Sequence, residues 1–382
     1  MSEHELGRES LSRARRVVVK IGSALLTNDG RGLDIDRIGG WVDQVAELHQ
    51  RGIEVVLVSS GAVAAGMVRL GWQARPSAVH ELQAAAAVGQ NGLTQCYEQH
   101  FARHAIITAQ VLLTHDDLSN RKRYLNALSA LRTLVEMRVV PVINENDTVV
   151  TDEIRFGDND NLSSMVASLV EANLLVILSD VDGLFDKDPG KHPDAALLHE
   201  VEHITPEIEA MAGATITTLG TGGMVSKLKA AKRATRNGIS TAIINGLKAE
   251  NLTRFFAGED VGTFFLPTAV PMASKKHWIA FTKKVRGKII VDAGACRAIR
   301  DEGKSLLPSG ITAVEGGFDR GDSICLCDQN KEEFARGIAN YSQNEITRIR
   351  GRKSTEISGI LGYKYSDEIV HRDNLVFARE DD

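Results

Sequence analysis

Gly220-Thr221-Gly222-Gly223-Met224-Val225-Ser226-Lys227 crowds three glycines into four positions and opens onto a Lys-rich helical pattern, Met224 to Arg236. A glycine-rich turn lets main-chain N–H groups come close to a ligand. The start of a helix adds unpaired N–H donors and partial positive charge. Lys227, in the first predicted turn, adds a full charge. The combination suits nucleotide phosphates, although it lacks the G-x-x-x-x-G-K-[ST] spacing of a Walker loop. Alone, such a stretch also serves as a plain helix entry, so the surrounding strands have to be read with it.

Those strands are short and apolar. Val17-Val18-Val19 predicts a buried strand, and Lys20-Ile21-Gly22-Ser23 follows it. A Lys at the end of a buried strand is costly unless it meets an anion or solvent. Leu33 to Arg51 has helical periodicity and stops at Gly52. Ile53 to Val58 is a second strand, followed by the small-residue turn Ser59-Ser60-Gly61-Ala62 and an Ala-rich helix, Val63 to Leu70. Such a turn holds a carboxylate or phosphate on its N–H groups, or is simply a short connection. Helices are expected over Glu81 to Phe101 and Ser119 to Arg138, and strands over Ala105 to Leu113 and Val139 to Ile143. Asn144-Glu145-Asn146-Asp147 leaves the last of these. Phe156-Gly157-Asp158-Asn159-Asp160-Asn161 then opens a helix, Leu162 to Glu171; helix capping accounts for one or two of its Asp and Asn residues but not four. Leu174 to Leu178 is a strand ending in Ser179-Asp180, and Ser240 to Asn245 is the strand after the Gly-rich stretch.

Alternating strands and helices imply an α/β fold, a parallel sheet with helices on both faces, whose ligands bind beyond the carboxyl ends of the strands. Lys20, Ser60, Asn144, Asp147, Ser179 and Asp180 all sit just past predicted strand ends. Asn159, Asp160 and Lys227 sit at helix starts on the same edge. Each has a bland reading alone; their collection on one edge does not.

At 382 residues the chain has room for two domains and a sizeable core. Apolar content of 43%, charged content of 25% and a net charge of −5 fit an ordinary globular protein without a global field for nucleic acid or anionic membrane. Cys96, Cys296, Cys325 and Cys327 are too scattered for a disulfide framework. Cys325 and Cys327, two apart in a predicted strand, point to one face and read as core filling. The polar arm at residues 1–15 has no apolar leader, and no apolar run reaches the roughly 20 residues of a membrane span; a cytoplasmic protein is expected. After Gly262-Thr263-Phe264-Phe265-Leu266-Pro267 the character changes. The expected division is a first domain over 1–273, a linker over 274–284 and a small, mostly β module over 285–382.

Two lysines and an aspartate on a phosphate-facing edge suit phosphoryl transfer, which needs positioning and charge neutralisation. Lys20 and Lys227 can neutralise the transferring group, and Asp160 can hold both lysines protonated. An amino-acid acceptor would find N–H groups at Ser60-Gly61-Ala62 for a carboxylate, and Asp147 with the amide of Asn159 for an ammonium. The eleven histidines form no metal-ligand spacing. No protein-held metal is therefore expected; Mg²⁺ would arrive with the nucleotide.

Taken in order, Val18-Val19-Lys20-Ile21-Gly22-Ser23, Ser59-Ser60-Gly61-Ala62, Val142-Ile143-Asn144-Glu145-Asn146-Asp147, Phe156 to Leu162 and Gly220 to Met224 resemble the glutamate-phosphorylating branch of the amino acid kinase family. Leu306-Leu307-Pro308-Ser309-Gly310-Ile311 and Ile360-Leu361-Gly362-Tyr363 resemble the PUA module that many bacterial members carry. The resemblance implies an amino acid kinase-type, mostly parallel sheet flanked by helices, with a PUA-like domain behind it. It implies ATP-dependent phosphorylation of the γ-carboxylate of L-glutamate, the first step toward proline, with feedback inhibition by proline and a dimeric or tetrameric homo-oligomer. By motif it assigns Lys20, Lys227 and Asp160 to the transferring phosphoryl group. Ser60, Asp147 and Asn159 fall at glutamate-binding positions, with Asn144 beside them. Ser179, Asp180 and the run Thr221, Gly222, Gly223, Met224, Val225, Ser226 and Lys227 fall on nucleotide-binding segments. Ser59 stands where Thr is frequent, and Ala24 where a second hydroxyl is frequent.

Sister kinases of acetylglutamate, aspartate or carbamate are the nearest alternatives. An N-acetylated substrate has no ammonium group for Asp147. An RNA-binding role through the C-terminal module is disfavoured by its charge, since residues 285–382 carry 15 basic and 17 acidic side chains, a net of −2. The run Arg348, Arg350, Arg352, Lys353 reads more simply as a solvated helix end.

Overall fold

The computed structural model describes residues 8, 11, 14–27, 32–150, 159–213, 223–268 and 285–377. It divides into two compact units, Met1–Val270 and Pro271–Asp382. Residues 274–284, the expected linker, lie outside the described residues.

In the first unit the apolar runs become strands β1 (Arg16–Ile21), β2 (Glu54–Ser59), β3 (Thr108–Leu113), β4 (Val140–Glu145), β5 (Leu174–Ser179), β6 (Glu200–Val201), β7 (Ser240–Asn245) and β8 (Thr263–Phe265). They form one sheet in the order β3-β4-β2-β1-β5-β7-β8-β6. From β3 to β7 all neighbours are parallel; β8 runs antiparallel to β7, and β6 pairs parallel with β8. Thr263–Phe265, for which the sequence reading assigned no strand, is a fully buried strand of this sheet.

The helices are α1 (Ser23–Leu26), α2 (Ile35–Gln50), α3 (Ala62–Arg69), α4 (Val79–Ala102), α5 (His115–Ser119), α6 (Arg121–Glu136), α7 (Asn159–Leu169), α8 (Pro206–Gly213), α9 (Met224–Arg236) and α10 (Asn251–Phe256). Side chains alternate across a strand, so each strand feeds two cores. Val17, Val19 and Ile21 pack with Trp41 and Val45 of α2 and Tyr97 and Phe101 of α4. Val18, Val56 and Val58 pack on the other face with Val135 of α6, Val166 of α7 and Leu228 of α9. Strands buried on both faces are continuous apolar runs, which is why a polar residue in one stands out. Lys20 shares the face of Val18 and so meets α7 and α9.

Two helix details shape the working edge. Gly61 takes φ +99° at the entry to α3, a left-handed conformation that only glycine adopts readily. Helices α3 and α4 cross backbone to backbone. A Cβ on Gly66 would lie 1.7 Å from the Ala85 carbonyl oxygen, and one on Gly89 would lie 1.9 Å from that of Ala62.

In the second unit β9 (Gly287–Val291), β10 (Ile311–Gly316), β11 (Ser323–Cys327), β12 (Glu333–Ile338) and β13 (Leu375–Phe377) form a sheet in the order β10-β9-β11-β12-β13, antiparallel except for β9 with β11. Helices α11 (Ala293–Arg300), α12 (Gln343–Ile349) and α13 (Ile357–Leu361) accompany it. Ile289, Leu326, Tyr341 and Ile346 centre its core. Cys325 and Cys327 are free and buried on the opposite face with Ile290, and burial pushes the Cys325 thiol up to about 12. The basic run is a helix end, with Arg348 donating to the Ile360 carbonyl and Arg350 closing α12.

Candidate active site

Strands β1, β2, β4, β5 and β7 all end on one edge, and the chain passes from one side of β1 to the other there. In such sheets this is where ligands sit. Lys20, near the end of β1, projects into the helix layer of α7 and α9 and is only 4% exposed. Its ammonium lies 2.5 Å from Asp160 Oδ1. Lys227, in the first turn of α9, lies 3.9 Å from Asp160 Oδ2. Ser226 also donates to Oδ2.

Asp160 is 1% exposed. Burial alone would raise its carboxyl, but Lys20, Lys227 and the hydrogen bonds from Lys20 and Ser226 hold it below the usual carboxylate range. Lys227 is shifted down, first by burial and also by Lys20, against the pull of Asp160 and Asp180. One carboxylate thus lies between two buried ammonium groups, with Asp180 also pulling on Lys227. Two ammonium groups held this close in a protein interior are costly, and an anion between them relieves the cost.

Asn159 and Asp160 were expected as site residues just ahead of a helix beginning at Leu162. They lie instead inside the first turn of α7, with their side chains buried in the edge. Asn159 Nδ2 lies 2.8 Å from Ser60 Oγ, 2.9 Å from Asn144 Oδ1 and 3.2 Å from the Ser59 carbonyl. The structure therefore brings Ser60, Asn144 and Asn159 together. Of the three N–H groups expected to meet a carboxylate, that of Ser60 is taken, donating to Ile21 O at 3.2 Å. Gly61 and Ala62 remain at the open start of α3.

Asp147 lies in the turn after β4, half-buried, and no hydrogen bond joins it to Asn144 or Asn159 among the described residues. Burial raises its carboxyl to about 6, opposed by Arg75. At the end of β5, Ser179 Oγ donates to Asp180 Oδ1 at 3.2 Å, and its carbonyl accepts from Gly246 N at 2.8 Å. Trp41 of α2 donates to the Gly246 carbonyl at 2.8 Å, tying the turn after β7 to the same edge. Gly223 precedes α9, and Met224, Val225 and Ser226 form its first turn. Thr221 and Gly222 lie outside the described residues.

The sequence reading missed two supports on α4. Tyr97, fully buried, shares a 2.9 Å hydrogen bond with Ser59 Oγ. Gln90, seven residues earlier on the same helix face, accepts from Asn144 Nδ2 at 2.8 Å. With Thr94 they form a polar stripe at helical spacing in an Ala-rich helix, which is the signal that marks them.

Buried ammonium groups over a helix start, beside a cluster of amide and hydroxyl groups, form the architecture of a phosphoryl-transfer enzyme. A model of the amino acid kinase family matches residues 15–245, and a PUA domain model matches residues 287–361. Glutamate 5-kinase of Chromohalobacter salexigens is 60% identical over 379 residues, covering 99% of this chain and 100% of that protein. Glutamate 5-kinase of Pseudomonas aeruginosa PAO1 is 57% identical over 371 residues, 97% of this chain and 100% of that one. Glutamate 5-kinase of Thioalkalivibrio sulfidiphilus is 55% identical over 369 residues, 97% and 98% respectively. The chain belongs to the amino acid kinase family and carries a PUA domain behind its kinase unit.

Proposed function

We propose that this protein transfers the γ-phosphoryl group of ATP to the γ-carboxylate of L-glutamate, giving L-glutamyl 5-phosphate and ADP. The observation that carries this is the buried set Lys20–Asp160–Lys227, whose two ammonium groups on one carboxylate suit a transferring phosphoryl group. The specific acceptor rests on the curated relatives, which bear the name glutamate 5-kinase along nearly the whole chain.

In this reaction a carboxylate oxygen forms the new bond to phosphorus as the bond to the ADP oxygen breaks. The nucleophile is already ionised, so no general base is required. Lys20 and Lys227 take up charge on the phosphoryl oxygens, and Asp160 holds them in place. Ser179, Asp180 and Thr221 to Lys227 receive the nucleotide; Ser226, committed to Asp160, acts through that carboxylate. The α-carboxylate of glutamate falls to Ser60 Oγ and the N–H groups of Gly61 and Ala62. Its ammonium falls to Asp147 and Asn159, with Asn144 bracing Asn159. Mg²⁺ is taken to arrive on the phosphates of ATP, and no residue is assigned to it.

The product leads toward proline, and proline is the expected inhibitor, competing at the glutamate subsite. A cytoplasmic homo-oligomer, dimeric or tetrameric, completes the proposal; no helix among the described residues is long and apolar enough to cross a membrane. The test is ADP release with each of four acceptors: L-glutamate, L-aspartate, N-acetylglutamate and carbamate. Dependence on L-glutamate is expected; preference for another acceptor would move the substrate to that one.

A further inference from the structure

Two main-chain groups on the working edge cannot reverse their polarity. The Glu145 N–H donates to Asn144 Oδ1 at 2.9 Å, so the Asn144 amide nitrogen faces the other way, toward Gln90 Oε1 at 2.8 Å. The Ser59 carbonyl accepts from Asn159 Nδ2, so Asn159 turns its nitrogen to the strand ends and its oxygen away from them. The same nitrogen faces Asn144 Oδ1 and Ser60 Oγ. The chain of side chains therefore has one direction: Gln90 accepts from Asn144, while Asn144 and Ser60 both accept from Asn159.

That direction decides what the site offers a ligand. Ser60 Oγ, already accepting from Asn159, has its O–H left to donate, which suits a carboxylate. Asn159 Oδ1 is the complementary group. It belongs to a residue only 6% exposed and has no hydrogen-bond partner among the described residues. A buried acceptor without a partner calls for a donor, which an ammonium group supplies.

Gln90 stands at the far end of this chain, on α4, outside every group assigned to the ligand. Its Nε2 donates to Thr94 Oγ1 at 3.3 Å, and Thr94 Oγ1 donates to the Gln90 carbonyl at 3.0 Å. Without the Gln90 side-chain oxygen, Asn144 Nδ2 is left without its acceptor, a state that proteins avoid. Asn144 then has reason to shift, and Asn159 Nδ2 loses one of its three acceptors, keeping Ser60 Oγ and the Ser59 carbonyl.

We propose that Gln90 is a positioning residue: it holds Asn144 in the orientation that the Glu145 N–H selects, and so supports the amino-acid subsite and its preference for a substrate bearing both an α-carboxylate and an α-ammonium group. This rests on the glutamate kinase activity proposed above.

The test uses the full-length protein with Gln90→Met, similar in length but unable to accept, and Gln90→Glu, which keeps an acceptor. Rates are measured against L-glutamate, ATP and glutarate, which lacks the ammonium group, alongside thermal unfolding. Gln90→Met should raise KM for L-glutamate about 10-fold or more, the cost of one unpaired buried donor, and leave KM for ATP unchanged. The preference for glutamate over glutarate should fall with it, and Gln90→Glu should stay near wild type. A wild-type KM for glutamate in Gln90→Met, or an equal rise in KM for ATP, would overturn the proposal. Should Gln90→Met not fold, Thr94→Val, which removes the anchor of Gln90, reads the same split: a rise for glutamate alone supports the role, and no change refutes it. A wild type inactive on glutamate overturns the proposed function together with this inference; an active wild type with an indifferent Gln90→Met overturns this inference alone.

Discussion

The Asp160 carboxylate lies 2.5 Å from the Lys20 ammonium through one oxygen and 3.9 Å from that of Lys227 through the other. It lies at the start of α7, reached by β1 from one side and α9 from the other. Removing the carboxylate leaves two like charges buried together. Asp160→Asn should lose at least about 10²-fold in kcat and destabilise the unliganded protein by about 3–5 kcal/mol, the usual cost of breaking a buried pair. ATP should recover part of that stability, since its phosphates replace the lost charge. Unfolding midpoints with and without ATP check this. Because the folded carboxyl is held below its unfolded value of 3.8, its contribution is present above that pH and is lost as pH falls further.

Asp147 gives a different pH signature. Its carboxyl is raised to about 6 by burial, and it takes the substrate ammonium only when ionised. The value of kcat/KM for glutamate should therefore hold above pH 6 and fall roughly tenfold for each unit below it, since that ratio reports groups of the free enzyme. Asp147→Asn should be weak throughout and should lose this limb. An unchanged limb in Asp147→Asn would assign it to another group.

The crossing of α3 and α4 leaves no room for a methyl group at Gly89, where a Cβ would meet the Ala62 carbonyl at 1.9 Å. Gly89→Ala should cost about 1–3 kcal/mol or more by overpacking. Ala62 also opens the helix whose N–H groups face the proposed carboxylate. KM for glutamate should rise with the lost stability, while KM for ATP should not. Urea unfolding and steady-state rates on one preparation test both effects.

Much of this edge was legible because buried parallel strands are apolar throughout. Lys20 after three valines, and the polar run that begins with the last two residues of β4, depart from that rule, and they fall at the site. The helix register of Asn159 and Asp160 was not legible: Asp and Asn are common caps, and only tertiary contacts show that these two are buried inside the turn. Thr263–Phe265 was missed because the four residues between Gly262 and Pro267 carry no period, and the strand is held by pairing with β7 and β6. Gln90 and Tyr97 were hidden because a polar residue on an Ala-rich helix reads as solvent-facing until the strand ends beneath it are known. The Ser60 N–H was counted as free because its partner, Ile21 O, lies on another strand.

The most direct measurement supplies ATP, Mg²⁺, L-glutamate and hydroxylamine, which traps an acyl phosphate as a hydroxamate, to the wild type and to Lys227→Ala. Hydroxamate from the wild type, with at least about 10²-fold less from Lys227→Ala, is expected from a γ-carboxyl kinase whose lysine acts on the transferring group. Equal yields from both would contradict the place of Lys227. No hydroxamate from either, with aspartate or acetylglutamate active instead, would contradict glutamate as the substrate.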